Sequence, residues 1–309
     1  MTMHRESGSL WVRYMSMLLV GVLGGCTSLH HYTADRVGDA LAGTGSSYAT
    51  DDDPELIRGA SPFGLKLMES VLQETPQHTA LLTAASGGFT QYAYAFVQED
   101  ADELEARDVD GAFALRARAR GLYLRGRDYG LRALDTHHSG FTTALHSTPQ
   151  PAVAGLGPSD VTALYWTTVA WAASISLGKD SPEALADLPR VDVLVTRLEQ
   201  LDPDYDHGSL DTFLISYAMG RPGGRNPSEE ARRHFERAVQ LSGGQRAGPF
   251  VALAENVCVR DQKRAEFVAT LQKALAIDVQ AQPQWRLENR VMQRRARWLL
   301  TQTDQLFVE

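Results

Sequence analysis

From Asp51 to the C-terminus the chain reads as helices with few interruptions, and runs that alternate β-branched with polar residues are nearly absent. Start signals punctuate the pattern. Asp53-Pro54, Ser61-Pro62, Ser181-Pro182 and Asn226-Pro227 each put a capping residue ahead of a proline suited to the first helical position. Glu229, three residues after Asn226, completes the pattern of a capping box. Gly178, Gly220 and the Gly243-Gly244 pair supply matching stops. The pattern predicts an all-α protein.

The helices also pair at a repeating distance. Small and large apolar residues at relative positions 0, 4 and 7, followed by a turn five residues on, line one helical face and let a partner helix approach closely. Ala231, Phe235, Ala238 and Gly243 fit this spacing; so do Val191, Val195, Leu198 and Pro203, and Gly64, Met68, Val71 and Pro76. Phe267, Leu271, Ala274 and Val279 fit it loosely. The turns at Pro203, Gly243 and Val279 are 40 and 36 residues apart, near the period of about 34 of tetratricopeptide repeats. Residues 79–178 break the period. The expected architecture over 51–309 is a divergent tetratricopeptide-like helical-hairpin solenoid or bundle, whose stacked pairs leave a concave surface for another molecule.

The first residues follow a different pattern. Arg13 precedes the apolar run Tyr14–Val22, which is too short to span a bilayer and has the layout of a secretory signal. Leu23-Gly24-Gly25-Cys26 closes it and looks like a bacterial lipobox, which predicts a signal peptide over 1–25 and lipidation of Cys26. The alternative is a plain signal peptide with an unmodified cysteine. Residues 26–50, with Gly43-Thr44-Gly45-Ser46-Ser47, read as a flexible tether to a membrane surface. Thr27 and Ser28 in place of an aspartate point to the outer membrane, with the folded body in the periplasm.

Charge and chemistry narrow the field further. A formal charge of −8 argues against a nucleic-acid partner. With Cys26 taken up by lipid, Cys258 stands alone, so no disulfide is expected and Cys258 reads as a small buried helix residue. His30-His31 falls in the tether and His137-His138 in a predicted loop, without the spacing of a zinc site. No Gly-x-Ser-x-Gly or cysteine-nucleophile motif occurs. Neither an enzyme, a metal nor a cofactor is expected.

Several ordered motifs resemble one family. Residues 51–58 and 62–66, Gly88–Phe96, Arg118–Arg125, Leu164-Tyr165-Trp166, Phe235–Ala238, Leu275–Asp278 and Arg295–Leu300 are similar to the T-component lipoproteins of TRAP transporters, the TatT family. The resemblance runs from about residue 26 to the end. It implies an all-helical, non-enzymatic lipoprotein that acts beside a periplasmic solute-binding protein and the permease of a tripartite ATP-independent transporter. It further implies a homo-oligomer, a trimer by preference, with a cavity or pore offered to the binding protein and its ligand. A general scaffold lipoprotein for envelope assembly is the alternative. Gly121 and Gly126 depart from the helical pattern, each at about 1 kcal/mol of helix propensity relative to Ala.

Two groups of side chains are candidates for binding. Phe89, Tyr92, Tyr94 and Phe96, with Gln91 among them, spread around one helix; Tyr165, Trp166 and Trp171 spread around another with almost no charge nearby. They form either two central buried helices or a mostly apolar pocket with a few hydroxyls, suited to an amphipathic organic acid. Arg118, Arg125 and Arg132 are seven apart on one face, Arg116, Arg120 and Arg127 form a neighbouring stripe, and Arg286, Arg290, Arg294 and Arg297 form another. Such stripes are ordinarily solvated faces paired with carboxylates on adjacent helices. Arg125 and Arg132 are the members considered for a ligand carboxylate.

Overall fold

The computed structural model describes residues 34–308. The structure is 80% helical and holds no strand among the described residues, so the chain is all-α. The signal segment, Cys26 and His30-His31 lie outside the described residues. Within the stretch expected as a tether, residues 34–42 and Thr44–Ala49 are helical. The hydroxyls of Thr44, Ser46 and Ser47 bond back to carbonyls three residues earlier, which closes short turns, and Leu41 and Tyr48 pack against the apolar core of the first half.

The main helices are α1 (Pro54–Glu74), α2 (Thr79–Ala93), α3 (Val109–His137), α4 (Val161–Ser176), α5 (Leu188–Leu201), α6 (Tyr205–Gly220), α7 (Pro227–Leu241), α8 (Gly248–Ala252), α9 (Arg264–Leu275) and α10 (Arg286–Thr301). Asp53 caps α1 by accepting from the amides of Glu55 and Leu56, with Pro54 at the first position. Ser61-Pro62, expected as a start, lies inside α1. Ser61 Oγ donates back to the Ile57 carbonyl, so it supports the running helix and does not open a new one. Asn226 precedes α7 but forms no capping box. Its amide instead donates to the Glu229 carboxylate at 3.1 Å. Gly243 and Gly244 take the left-handed conformation that ends α7.

Helices α2, α3 and α4 pack on one another as the centre of the first half. Two glycines bring them together: a Cβ at Gly126 would meet Thr90 Oγ1 at 2.7 Å, and one at Gly130 would meet Thr167 Oγ1 at 2.1 Å. Close approach therefore explains Gly126. Nothing lies near a Cβ at Gly121, which the packing leaves unexplained. In the second half α6 pairs with α7, and α9 with both α8 and α10. Ala231, Ala238, Phe267, Leu271, Ala274, Val191 and Leu198, all on the predicted 0, 4, 7 faces, are fully buried.

The buried apolar residues form two clusters. One runs from Ile57 to Tyr217 and the other from Ile215 to Phe307. α6 is the seam, giving Leu210, Leu214 and Tyr217 to the first and Ile215 and Ala218 to the second. α10 returns to the first half, where Arg294 binds Glu99 and Arg286 Nη1 donates to the Thr50 carbonyl. Two π-helical turns interrupt the regular helices: Tyr94–Gln98 after α2, continuing into Glu99–Leu104, and Leu253–Cys258 after α8.

Candidate functional site

A cavity of about 1390 Å³ is lined from both halves. Its first wall is aromatic. α2 and the following π turn supply Gln91, Tyr92 and Tyr94; α4 supplies Tyr165 and Trp166; Tyr205 and Trp285 come from beyond. Tyr165 stands edge-on to Trp166 at 5.0 Å between ring centroids and tilts against Tyr205 at 4.6 Å. Gly87 makes room for Trp166, since a Cβ there would meet the indole at 2.9 Å. The hydroxyl of Tyr165 donates to the Ser209 carbonyl at 3.4 Å, and the Gln91 amide to the Gly87 carbonyl at 3.3 Å. Burial pushes the Tyr94 and Tyr165 hydroxyls well above their usual range, so both stay neutral.

Beside the aromatic wall, and touching it where Arg246 lies 5.5 Å over the Trp285 ring, the lining carries ions in pairs. One face of α10 presents Glu288, Val291, Met292 and Arg295 to the cavity, and Arg246 and Glu255 join from neighbouring segments. Seven residues separate Glu288 from Arg295, two turns and about 10 Å along the axis. Arg246 is bound on every side. Its Nε and Nη2 donate to Glu288 at 3.1 and 2.6 Å, and its Nη1 donates to the Asp206 carbonyl at 2.6 Å. Asp206 and His207 hold positive φ just before Gly208, and the Arg246 bond helps keep that strained turn in place.

Arg295 is held differently. Its Nη2 donates to Asp102 at 2.8 Å and to Glu255, and its guanidinium stacks on Trp298 at 4.3 Å. Burial opposes its charge, but Glu255 and the neighbouring Tyr94 and Asp102 outweigh that and raise its pKa further. Behind it Glu99, which is 1% exposed, accepts from Arg294 at 2.9 Å. Burial pushes the Glu99 carboxyl up to about 7 against the pull of Arg294 and Arg295.

The predicted site residues divide between this cavity and other surroundings. Gln91, Tyr92, Tyr94, Tyr165 and Trp166 line it. Phe89 does not: it is buried and stacks on Tyr129 at 5.7 Å. Trp171 lies on another face of α4, is fully buried, and its indole donates to Asp187 at 3.1 Å. Arg125 lies over the Phe89 ring and pairs with Glu69 at 3.2 Å, while Arg132 donates to the Pro76 carbonyl at 3.2 Å. Both sit away from the cavity, and the stripe is paired as a solvated face would be, with Arg116 on Asp102 and Glu105.

Sequence reasoning missed Arg246, Glu255, Glu288 and Arg295. The available signal was an ion on an otherwise apolar helical face: Arg295 falls among Val291, Met292, Ala296 and Leu299, and Glu255 among Val251, Ala254 and Val257. The histidine pair also has a carboxylate that its spacing did not announce. Buried Asp160 sits 3.3 Å from His137 Nδ1 and 2.8 Å from His138 Nε2, and accepts the Gly157 amide. It ties the end of α3 to the start of α4. Cys258 is buried in its π turn, and burial pushes its thiol up to about 12. Among the described residues no group of three or more His, Cys, Asp or Glu could hold a metal ion.

A family model described as "TRAP transporter T-component" matches residues 50–307. A protein of Treponema pallidum (strain Nichols) described as "Uncharacterized protein" is 29% identical over 273 residues, covering 85% of this chain and 83% of that one.

Proposed function

Because the chain belongs to the TRAP transporter T-component family, we propose that it docks the periplasmic solute-binding protein of such a transporter and passes an organic ligand through its cavity. Family membership makes it an accessory component of a TRAP transporter. The observation that carries the finer reading is the cavity itself. Its volume of about 1390 Å³ exceeds the usual range of about 300–1,000 Å³ for small-molecule sites. An aromatic wall with neutral hydroxyls suits an amphipathic guest, and no step of chemistry is needed to hold or release it.

The rest of the reading follows from the sequence. The chain is a non-enzymatic lipoprotein, anchored through Cys26 to the outer membrane and facing the periplasm. The 0, 4, 7 faces and the paired helices support a divergent tetratricopeptide-like solenoid. Homo-oligomerisation, as a trimer, comes from the family resemblance alone.

The test is a pull-down of the tagged full chain from detergent extract. Recovery of a TRAP solute-binding protein is the expected result. Recovery of outer-membrane assembly factors without any solute-binding protein would replace this reading by the envelope scaffold. Labelling with radioactive palmitate should mark the chain and fail to mark a Cys26→Ser variant.

A further inference from the structure

Helix α1 is apolar on two faces. Ile57, Leu65 and Met68 turn inward, are buried and line the cavity. On the opposite side Leu56, Phe63 and Leu67 follow one another at spacings of seven and four, which puts them on a single helical stripe. That stripe is left uncovered: Phe63 is 74% exposed, Leu56 59% and Leu67 37%. Single exposed apolar residues are ordinary, but three on one stripe mark an interaction face.

The chain ahead of α1 says what can cover it. Cys26 stands eight residues before Ala34, a stretch that reaches at most about 28 Å when extended. The helical residues 34–42 are tied to the far end of α1: His78 Nε2 lies 3.2 Å from the Asp35 carbonyl and 3.3 Å from Asp39 Oδ1. Tyr48 then lies against the middle of α1, where a Cβ at Gly64 would meet its hydroxyl at 3.2 Å. From Phe63 to the end of α1 at Glu74 is about 16 Å along the axis. The stripe is therefore within reach of an acyl group on Cys26.

Its size and rim select the occupant. A stable protein interface takes about 20–30 residues a side, far more than this stripe supplies, whereas a bilayer surface needs only one apolar helical face. Among the described residues no helix is long and apolar enough to cross a membrane, so α1 lies on such a surface and does not enter it lengthwise. Asp52 and Asp53, exposed just ahead of Leu56, suit the ammonium groups of zwitterionic lipids and repel anionic ones.

We propose that α1 docks through Leu56, Phe63 and Leu67 onto a zwitterionic lipid surface beside the attachment point of Cys26. The docking fixes how the body stands on the membrane. Because the inner face of α1 lines the cavity, the chamber sits one helix diameter, about 10–12 Å, above the headgroups. This rests on the lipoprotein reading, and it adds the face that the protein turns to the bilayer.

The test uses the full chain purified from membranes and reconstituted into vesicles of phosphatidylcholine and phosphatidylethanolamine. An environment-sensitive nitrobenzoxadiazole label is placed at Gly59→Cys, where a Cβ meets nothing, or at Glu236→Cys, exposed on α7. Cys258 is buried and its thiol is pushed up to about 12, so the label goes to the introduced cysteine. Nitroxide-bearing lipid should quench the Gly59 label several-fold more strongly than the Glu236 label. Phe63→Ser with Leu67→Ser should remove most of that quenching and leave the melting temperature unchanged, since both side chains are exposed. Equal quenching at the two sites, or quenching unmoved by the serine pair, overturns the docking. A Gly59 label shielded from water yet untouched by the lipid quencher overturns it in favour of a second copy of the chain. The mass of the same sample keeps the anchor separate: an acylated chain with an unquenched Gly59 label rejects the docking alone. An unacylated chain that leaves the vesicles unbound rejects both, and one that floats with them until the serine pair is introduced keeps the docking without the anchor.

Discussion

The two walls of the cavity are built on opposed physical terms. The aromatic wall of Tyr92, Tyr94, Tyr165 and Trp166 rests on contact between rings and on the room left by Gly87. The ionic wall of Arg246, Glu255, Glu288 and Arg295 rests on pairs drawn from residues about 40 apart in sequence, such as Glu255 with Arg295 and Arg246 with Glu288. The first tolerates being partly uncovered, since aromatic rings keep most of their contacts with one face open. The second does not, because a buried charge that loses its partner is stranded. The ionic wall is therefore the more sensitive of the two to losing a single side chain.

The sharpest way to separate lining from core lies on a single helix. Trp171→Ala should cost about 4 kcal/mol of unfolding free energy, as a fully buried indole does. Trp166→Ala should cost less than half as much, because its ring already faces empty space. Urea denaturation checks both, and equal losses would erase the distinction between wall and core. On the ionic side, Glu255→Leu should cost about 3 kcal/mol, because Arg295 keeps only Asp102. Adding Arg295→Met should recover most of that loss. A Glu255→Leu variant as stable as the parent would mean that the ionic wall is solvated after all.

A third experiment uses pH. Glu99 binds its proton more tightly in the folded chain than in the unfolded one, because burial outweighs Arg294 and Arg295. Its contribution is therefore most favourable below its ordinary value of 4.5 and fades as pH rises towards about 7. Stability should fall by about 2 kcal/mol across that window from this group alone. Glu99→Gln should flatten the dependence, as read from melting temperatures at pH 5 and pH 8. The smallest effect lies on α3, which backs the aromatic wall. Gly121→Ala should stabilise by about 1 kcal/mol, since its Cβ meets nothing, whereas Gly126→Ala should destabilise by pressing on Thr90. Thermal melts of the two variants should shift in opposite directions.

The helical class, the stops at Gly220 and Gly243-Gly244, and the buried 0, 4, 7 faces were legible because they depend on local spacing. Most of the aromatic wall was legible too, since uncharged aromatic helices are unusual in any soluble-looking stretch. Which rings face inward was not. Phe89 and Trp171 differ from Tyr92 and Trp166 only in helical phase, and phase is settled by neighbours far off in sequence. The ionic wall was hidden for a further reason. Arginines in open stripes, such as Arg125 and Arg132, draw attention by their regularity, yet Arg295 matters by being out of place on an apolar face. Ser61-Pro62 shows the same limit at the backbone: a start signal was overridden by a helix that had already begun at Pro54.

The π turn Tyr94–Gln98 makes chain length, and not residue choice alone, a determinant of how the two halves meet. Such a turn holds one residue more than a regular helix needs. Because the turn absorbs that residue, deleting one position within it would restore regular α-helix and leave the facing of Glu99–Leu104 unchanged. An insertion or deletion in regular helix would instead change the phase by about 100° and swing Glu99 and Asp102 away from Arg294 and Arg295. The turn thus gives the joint slack for one residue of chain length, which no scan of single substitutions would reveal.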